Sequence, residues 1–129
     1  MGFKELLAYK KAFELSMEIF EISKSFPKNE TYSLTDQIRR SSRAVCANMA
    51  EAYRKRDYLK HFISKLTDAD SENAETQVWI DFSFNCHYIS EEIQENLTHK
   101  SIEVGKLINF MILHPDKFGV KKLKTETEN

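Results

Sequence analysis

From Lys28 to Val104 the chain contains neither glycine nor proline. Those two residues interrupt regular structure most strongly, glycine through its backbone freedom and proline through its fixed φ and missing N–H. A long stretch without them favours extended helices joined by short polar turns. The breakers that do occur sit towards the two ends of the sequence. Phe26-Pro27 closes a first helix, because the residue before proline is pushed out of the α region. His114-Pro115 closes a last one.

Apolar periodicity fills in what lies between. Helices are predicted over about residues 4–25, 34–54, 58–88 and 91–113, so that residues 1–115 form one four-helix bundle and 116–129 a frayed, flexible tail. In the first helix the large residues Leu6, Tyr9, Phe13, Met17 and Phe20 recur at helical spacing and are expected to point inward. The second carries a stripe of Leu34, Ile38, Ser41, Val45, Met49 and Ala52, with Ala44, Ala47 and Ala50 beside it. In the third, Phe62, Leu66, Ala69, Asn73, Thr76, Ile80 and Phe84 share a face. In the fourth the stripe is Ile93, Leu97, Val104, Leu107, Ile108 and Met111. Ser33 with Asp36, Asp57 and Ser90 are the expected starts of helices two, three and four, since short polar side chains satisfy the first free N–H groups. Four helices with short connections give an all-α, up-and-down antiparallel bundle.

From Val78 to Ile89 the third helix is apolar on almost every side. A helix of that kind is buried on more than one face. Within a four-helix domain the second face is most easily covered by another subunit, so an oligomer is expected, with Val78, Trp79, Phe82, Cys86 and Tyr88 as candidate interface residues.

Composition narrows the class. The 129 residues are 41% hydrophobic and 30% charged with a net charge of −1, ordinary values for a soluble single domain. No apolar run approaches the roughly 20 residues of a membrane span, and MGFKELL has no signal-peptide pattern. The expected location is cytoplasmic. Cys46 and Cys86 fall inside helical patterns and read as small hydrophobes in a reducing compartment.

Charge is unevenly placed along the sequence. Between Arg39 and Lys65 eight basic residues face two acidic ones, a balance of +6; between Leu66 and Asn96 there are eight acidic residues and no Lys or Arg. Opposite patches could dock subunits head to tail. Alternatively the basic residues could bind phosphate. The candidates for nucleic-acid contact are Arg39, Arg40 and Arg43 on the second helix and Arg54, Lys55 and Arg56 at its end. Tyr53, Tyr58 and His61 lie close to the latter, and cations mixed with aromatics suit RNA. A solvated or ion-paired helix face explains the same residues without a ligand.

Catalytic and metal patterns are missing. No glutamate has a histidine three residues later, as di-iron bundles require. Asp68, Asp70 and Glu72 are spaced like the start of a calcium loop, but Asn73 stands where its glycine belongs. There is no P-loop, GxGxxG or nucleophile elbow. A non-enzymatic protein without metal or cofactor is expected.

Several of these residues together carry a family likeness. Phe26-Pro27 with Glu30 and Tyr32, then Leu34, Gln37-Ile38-Arg39-Arg40, Asn48 with Ala50-Glu51, Glu75-Thr76-Gln77-Val78-Trp79 and Tyr88-Ile89-Ser90 resemble the bacterial S23, or 23S rRNA intervening-sequence, proteins, from Phe3 to about Phe118. Where many members have glycine, this chain has Ala52, and a related branch often has glycine at Ser71; both departures make a helix more regular. The resemblance implies a homopentameric ring of four-helix bundles and an association with RNA or ribonucleoprotein, and it brings no catalytic activity. The functional expectation is an RNA- or ribonucleoprotein-associated accessory factor. The rivals are a protein-interaction scaffold with no nucleic-acid role and, with nothing specific behind it, a small apolar ligand in the ring lumen.

Overall fold

Four helices carry the chain: α1 (Leu7–Ser23), α2 (Leu34–Arg54), α3 (Leu59–Asn85) and α4 (Glu91–Leu113), with 3₁₀ turns at Phe3–Glu5, Lys28–Glu30 and Pro115–Phe118. These assignments come from a computed structural model, which describes residues 2–120. α2 packs against α1 and α3, and α4 packs against α3 and α1. The result is a four-helix bundle in which α1 and α3 lie on opposite corners.

Its interior is two apolar blocks with a polar layer between them. One block gathers Ala8, Val45, Met49, Phe62, Leu66, Val104, Ile108 and Met111, among others. The other gathers Leu15, Ile19, Phe26, Leu34, Ile38, Ile80, Ile89 and Leu97. In the layer, Ser16 of α1 meets Ser42 of α2 at 3.2 Å, and Ser41 meets Thr76 of α3 at 2.8 Å. Asn73 Nδ2 donates to the Ser101 carbonyl at 2.8 Å, and Ser101 Oγ donates back to Asn73 Oδ1 at 2.9 Å. Buried polar groups cost free energy unless paired; here each named side chain has a partner. On α4, Gly105 permits this closeness, since a Cβ there would stand 3.3 Å from Asn73 Nδ2.

The inward face of α1 differs from expectation. Ala8, Ala12, Leu15, Ser16, Ile19 and Ser23 are buried, whereas Phe13 and Met17 are 49% and 46% exposed. The two stripes are offset by one residue, about 100° around the helix. The structure buries the smaller set, which lets α1 approach α2 closely enough for the Ser16–Ser42 contact.

Helix ends also depart from the sequence expectation in three places. Ser33 stands at the N-cap of α2 as expected, but its side chain takes none of the first N–H groups, and Asp57 does not cap α3, whose N-cap is Tyr58. The Leu34 N–H is taken instead by the Glu30 carboxylate at 3.2 Å, and α3 begins after Tyr58, too late for Asp57 to reach its first turn. α3 stops at Asn85 because His87 adopts a left-handed conformation (φ 66°). The Tyr88 N–H then donates to the Ser83 carbonyl and the His87 N–H to Phe84, both at 2.9 Å, the pairing of a Schellman end. Ser90 does cap α4, accepting from the Ile93 N–H at 3.1 Å. Finally, the tail expected from residue 116 is ordered up to 120. Pro115–Phe118 turns back, and Val120 is 3% exposed against the first apolar block. Residues 121–129 of that expected tail lie outside the described residues.

Candidate nucleic-acid interface

Every α2 residue in the basic set sits on the helix's outer half, yet the two groups occupy opposite ends of it. Arg39, Arg40 and Arg43 belong to the first turns; Arg54, Lys55 and Arg56 close the helix more than 15 Å away, at about 1.5 Å per residue.

At the first end, Arg39 is held in place. Its Nε donates to Ser23 Oγ at 2.7 Å, Nη2 reaches the Phe20 carbonyl at 3.4 Å, and the guanidinium lies 4.7 Å from the Phe20 ring centre. Arg40 crosses to α3, where it pairs with Glu72 at 3.3 Å and with Glu75, which also accepts from Trp79 Nε1 at 3.1 Å. Arg43 is exposed, with its guanidinium 5.7 Å from the Phe20 ring. Thr31, Thr35, Asp36, Arg39, Arg40 and Arg43 line an open concavity of about 430 Å³.

At the other end, Arg56 is turned inward. Its guanidinium stacks 3.6 Å from the Tyr53 ring centre, Nε donates to the Tyr53 carbonyl at 2.8 Å, and Nη1 donates to the Phe118 carbonyl at 3.3 Å. Gly119 follows at φ 86°, where a Cβ would meet Arg56 Nη1 at 3.1 Å. Arg56 therefore fastens residues 115–120 to the bundle. Arg56→Ala is expected to destabilise the fold by about 1–3 kcal/mol, because two hydrogen bonds and a stack disappear with the side chain. A lower urea midpoint with faster amide exchange at Val120 checks this. Arg54 and Lys55 are exposed. Of the six candidates, Arg40, Arg43, Arg54 and Lys55 are exposed, and of these Arg40 is engaged by Glu72 and Glu75. Arg43 and Arg54 stand about 16 Å apart on one line of the helix, since eleven residues make just over three whole turns.

The charge division is partly consumed within the bundle. Besides the Arg40 pairs, Lys65 lies 3.6 Å from Glu51 and 3.9 Å from Asp68. These are surface pairs, each worth at most about 1 kcal/mol. Two tyrosines flank the projecting cations. Tyr32, just before α2, is 93% exposed. Tyr58, just after it, is largely exposed and meets His61 edge-on at 5.8 Å.

The candidate subunit contacts divide as well. Val78 and Phe82 are 47% and 53% exposed and, with Asp81 and Asn85, line a hollow of about 290 Å³. Cys86 is exposed. Trp79 is half-buried, with its ring 5.9 Å from Phe82. Tyr88 is engaged inside its own bundle: its ring lies 5.5 Å from Phe26, and its hydroxyl donates to Glu30 at 2.8 Å. That bond, followed by the Leu34 N–H, holds the Glu30 carboxyl below the usual carboxylate range and raises the Tyr88 phenol. On the opposite corner, Phe13 and Met17 continue the exposed apolar surface. Phe13 and Tyr9 line a hollow of about 430 Å³ with Lys4, Lys10 and Glu14. The sequence signal for this α1 face is present: two apolar stripes on one helix, the same feature that marks α3.

Among the described residues no group of three or more His, Cys, Asp and Glu could hold a metal ion, and no helix is long and apolar enough to cross a membrane. Burial pushes the Cys46 thiol up to about 11, which keeps it protonated and unreactive.

The family model described as 23S rRNA-intervening sequence protein matches residues 4–110, which cover α1, α2, α3, most of α4 and both basic groups. The chain belongs to this family. Among solved structures, the chain is similar to a protein with unknown function from the S23 ribosomal protein family of Bacteroides thetaiotaomicron VPI-5482. It is 28% identical, with a TM-score of 0.75 over 83% of this chain and 96% of that one. No curated protein matches the chain. Membership agrees with the resemblance carried by Pro27, Glu30, Tyr32 and the Gln37–Arg40 run. The structure adds roles for two of them: Glu30 caps α2, and Arg39 ties α2 to the end of α1.

Proposed function

We propose that this member of the 23S rRNA-intervening sequence family is a non-enzymatic, cytoplasmic accessory factor that assembles into a ring and associates with RNA or ribonucleoprotein. The observation that carries the reading is the line of projecting cations on α2, Arg43 with Arg54 and Lys55, flanked by exposed Tyr32 and Tyr58. The family's own description supports the RNA partner. One bundle with net charge −1 attracts nucleic acid weakly, but a ring repeats the cationic line and sums its attraction for phosphate.

The diagonal placement of the exposed apolar faces supports the ring. Phe13 and Met17 are exposed on α1 and Val78 and Phe82 on α3, the helices at diagonal corners of the bundle. Two different faces on opposite sides make a head-to-tail contact, which closes into a ring when the rotation allows. The homopentamer that the family resemblance implies is one such closure.

Fluorescence anisotropy with a structured ribosomal RNA fragment at two salt concentrations tests the reading. Binding tighter than about 10⁻⁶ M that weakens as salt rises is expected. Arg43→Ala with Arg54→Ala and Lys55→Ala is expected to weaken it, with the assembly intact. The salt slope should flatten by about 0.7–0.9 for each phosphate no longer neutralised. A second reading, a protein-interaction scaffold, draws on the internal ties of Arg39, Arg40 and Arg56. No binding at either salt would leave that one standing.

A further inference from the structure

We propose that the concavity at the start of α2, together with Tyr32, is a site for a single unpaired RNA strand, with a base stacked on the Tyr32 ring and the neighbouring phosphate held by Arg43 and Arg39. This rests on the RNA reading above and narrows it to single strands. At 93% exposure, Tyr32 has no packing role in the bundle, and its ring meets no other aromatic among the described residues. Its backbone is nonetheless fixed. The Thr31 N–H donates to the Lys28 carbonyl at 3.1 Å and the Ser33 N–H to Glu30 at 3.0 Å, while Thr31 Oγ1 donates to Lys28 at 2.7 Å. Glu30 in turn takes the Leu34 N–H and the Tyr88 hydroxyl. An exposed aromatic on a rigid turn is a ready stacking platform, because little ordering cost remains when a base arrives.

Thr31, the adjoining residue, lines the concavity with Arg39, Arg40 and Arg43. Ser23 and the Phe20 ring fix the Arg39 guanidinium while leaving Nη1 without a bond among the described residues. Arg43 has no carboxylate partner there. The surrounding charge limits what can bind. Asp36 lines the same hollow, and Glu72 and Glu75 neutralise Arg40. What remains is cation enough for about one phosphate, far from the continuous path along a duplex that sequence-independent binding requires. A paired base is also already stacked in its helix and cannot reach Tyr32.

The test is anisotropy with three labelled probes of equal length, roughly a dozen nucleotides: oligouridine, an RNA duplex, and an abasic strand with the same phosphates. Oligouridine is expected to bind about tenfold or more tighter than the other two. Tyr32→Ala is expected to lower oligouridine affinity by roughly 5- to 100-fold, the range for removing one base stack, while Tyr32→Phe, which keeps the ring, retains it. Arg43→Ala should weaken oligouridine and the abasic strand alike, since both carry the phosphate it holds. Light scattering on each variant reports assembly size. If abasic and oligouridine strands bind equally, or Tyr32→Ala binds as the parent does, the stacking site is overturned while RNA binding stands. A change of assembly size in Tyr32→Ala would make the residue a subunit contact and overturn the site too. Failure of every probe, and of the structured fragment, would remove the RNA reading itself.

Discussion

Phe82→Glu is expected to release the proposed ring into single folded bundles. Phe82 is half exposed at the centre of the α3 hollow, so the bundle's own core loses nothing and its helicity and melting stay close to the parent's. At a subunit contact, however, the change removes the burial of a phenyl ring, about 1.5–3 kcal/mol, and places a carboxylate in an apolar surface at a further cost of several kcal/mol. At 1.4 kcal/mol per tenfold, each contact weakens by more than about a thousandfold. Phe13→Glu should act identically from the opposite corner. Mixing the two variants is the sharper measurement. In a head-to-tail contact, the intact α3 face of Phe13→Glu fits the intact α1 face of Phe82→Glu, so the mixture should form one-to-one dimers that grow no further. Sedimentation velocity reads this directly. A mixture that stays monomeric, or a Phe82→Glu protein of unchanged size, overturns the α1–α3 contact.

The second large effect is in the interior. Asn73→Ala is expected to cost about 2–4 kcal/mol, combining the loss of two hydrogen bonds with the space left behind. Asn73 is 3% exposed, and its amide both donates to and accepts from Ser101. The urea midpoint should fall with the denaturant slope unchanged, the sign of lower stability without a change in the surface exposed. Removing the side-chain pair, Asn73→Leu with Ser101→Ala, should recover part of the loss, because no Ser101 hydroxyl is then left without its acceptor. The Ser101 main-chain carbonyl still loses its Asn73 donor, and Gln77 Nε2 loses Ser101 Oγ. If the double substitution is as unstable as the single one, the cost does not arise from the orphaned Ser101 hydroxyl.

How far the sequence led depended on how many stripes a helix carries. On α2 and the first part of α3 there is one, and Ile38, Val45, Met49, Phe62, Leu66, Thr76 and Ile80 are buried as expected. On α1 there are two, and size favoured the wrong one. Tyr9, Phe13, Met17 and Phe20 are bulkier than Ala8, Ala12 and Ser16, but close helix approach selects the set with the small residues, which Leu15 and Ile19 anchor in the core. The family likeness was legible in runs such as Gln37–Arg40, since each is local. The partners of the basic residues were not. Arg39 with Ser23, Arg40 with Glu72 and Arg56 with Phe118 join distant parts of the sequence, and only the packed bundle brings them together. The Asp57 cap failed for a smaller reason: a start displaced by one residue puts Asp57 out of reach of the N–H groups it would satisfy.

The serine, threonine and asparagine layer has a bearing on how the molecule breathes. It separates the Leu15–Ile80 block, beneath Tyr32 and Arg39, from the Val45–Phe62 block, beneath Arg54 and Arg56. Thermal opening that begins in one block meets a belt of directional bonds before it reaches the other, whereas a continuous apolar interior would let it spread by simple repacking. The two ends of α2 are therefore carried on separate foundations, and amide protons at one end can exchange with solvent while those at the other remain shielded.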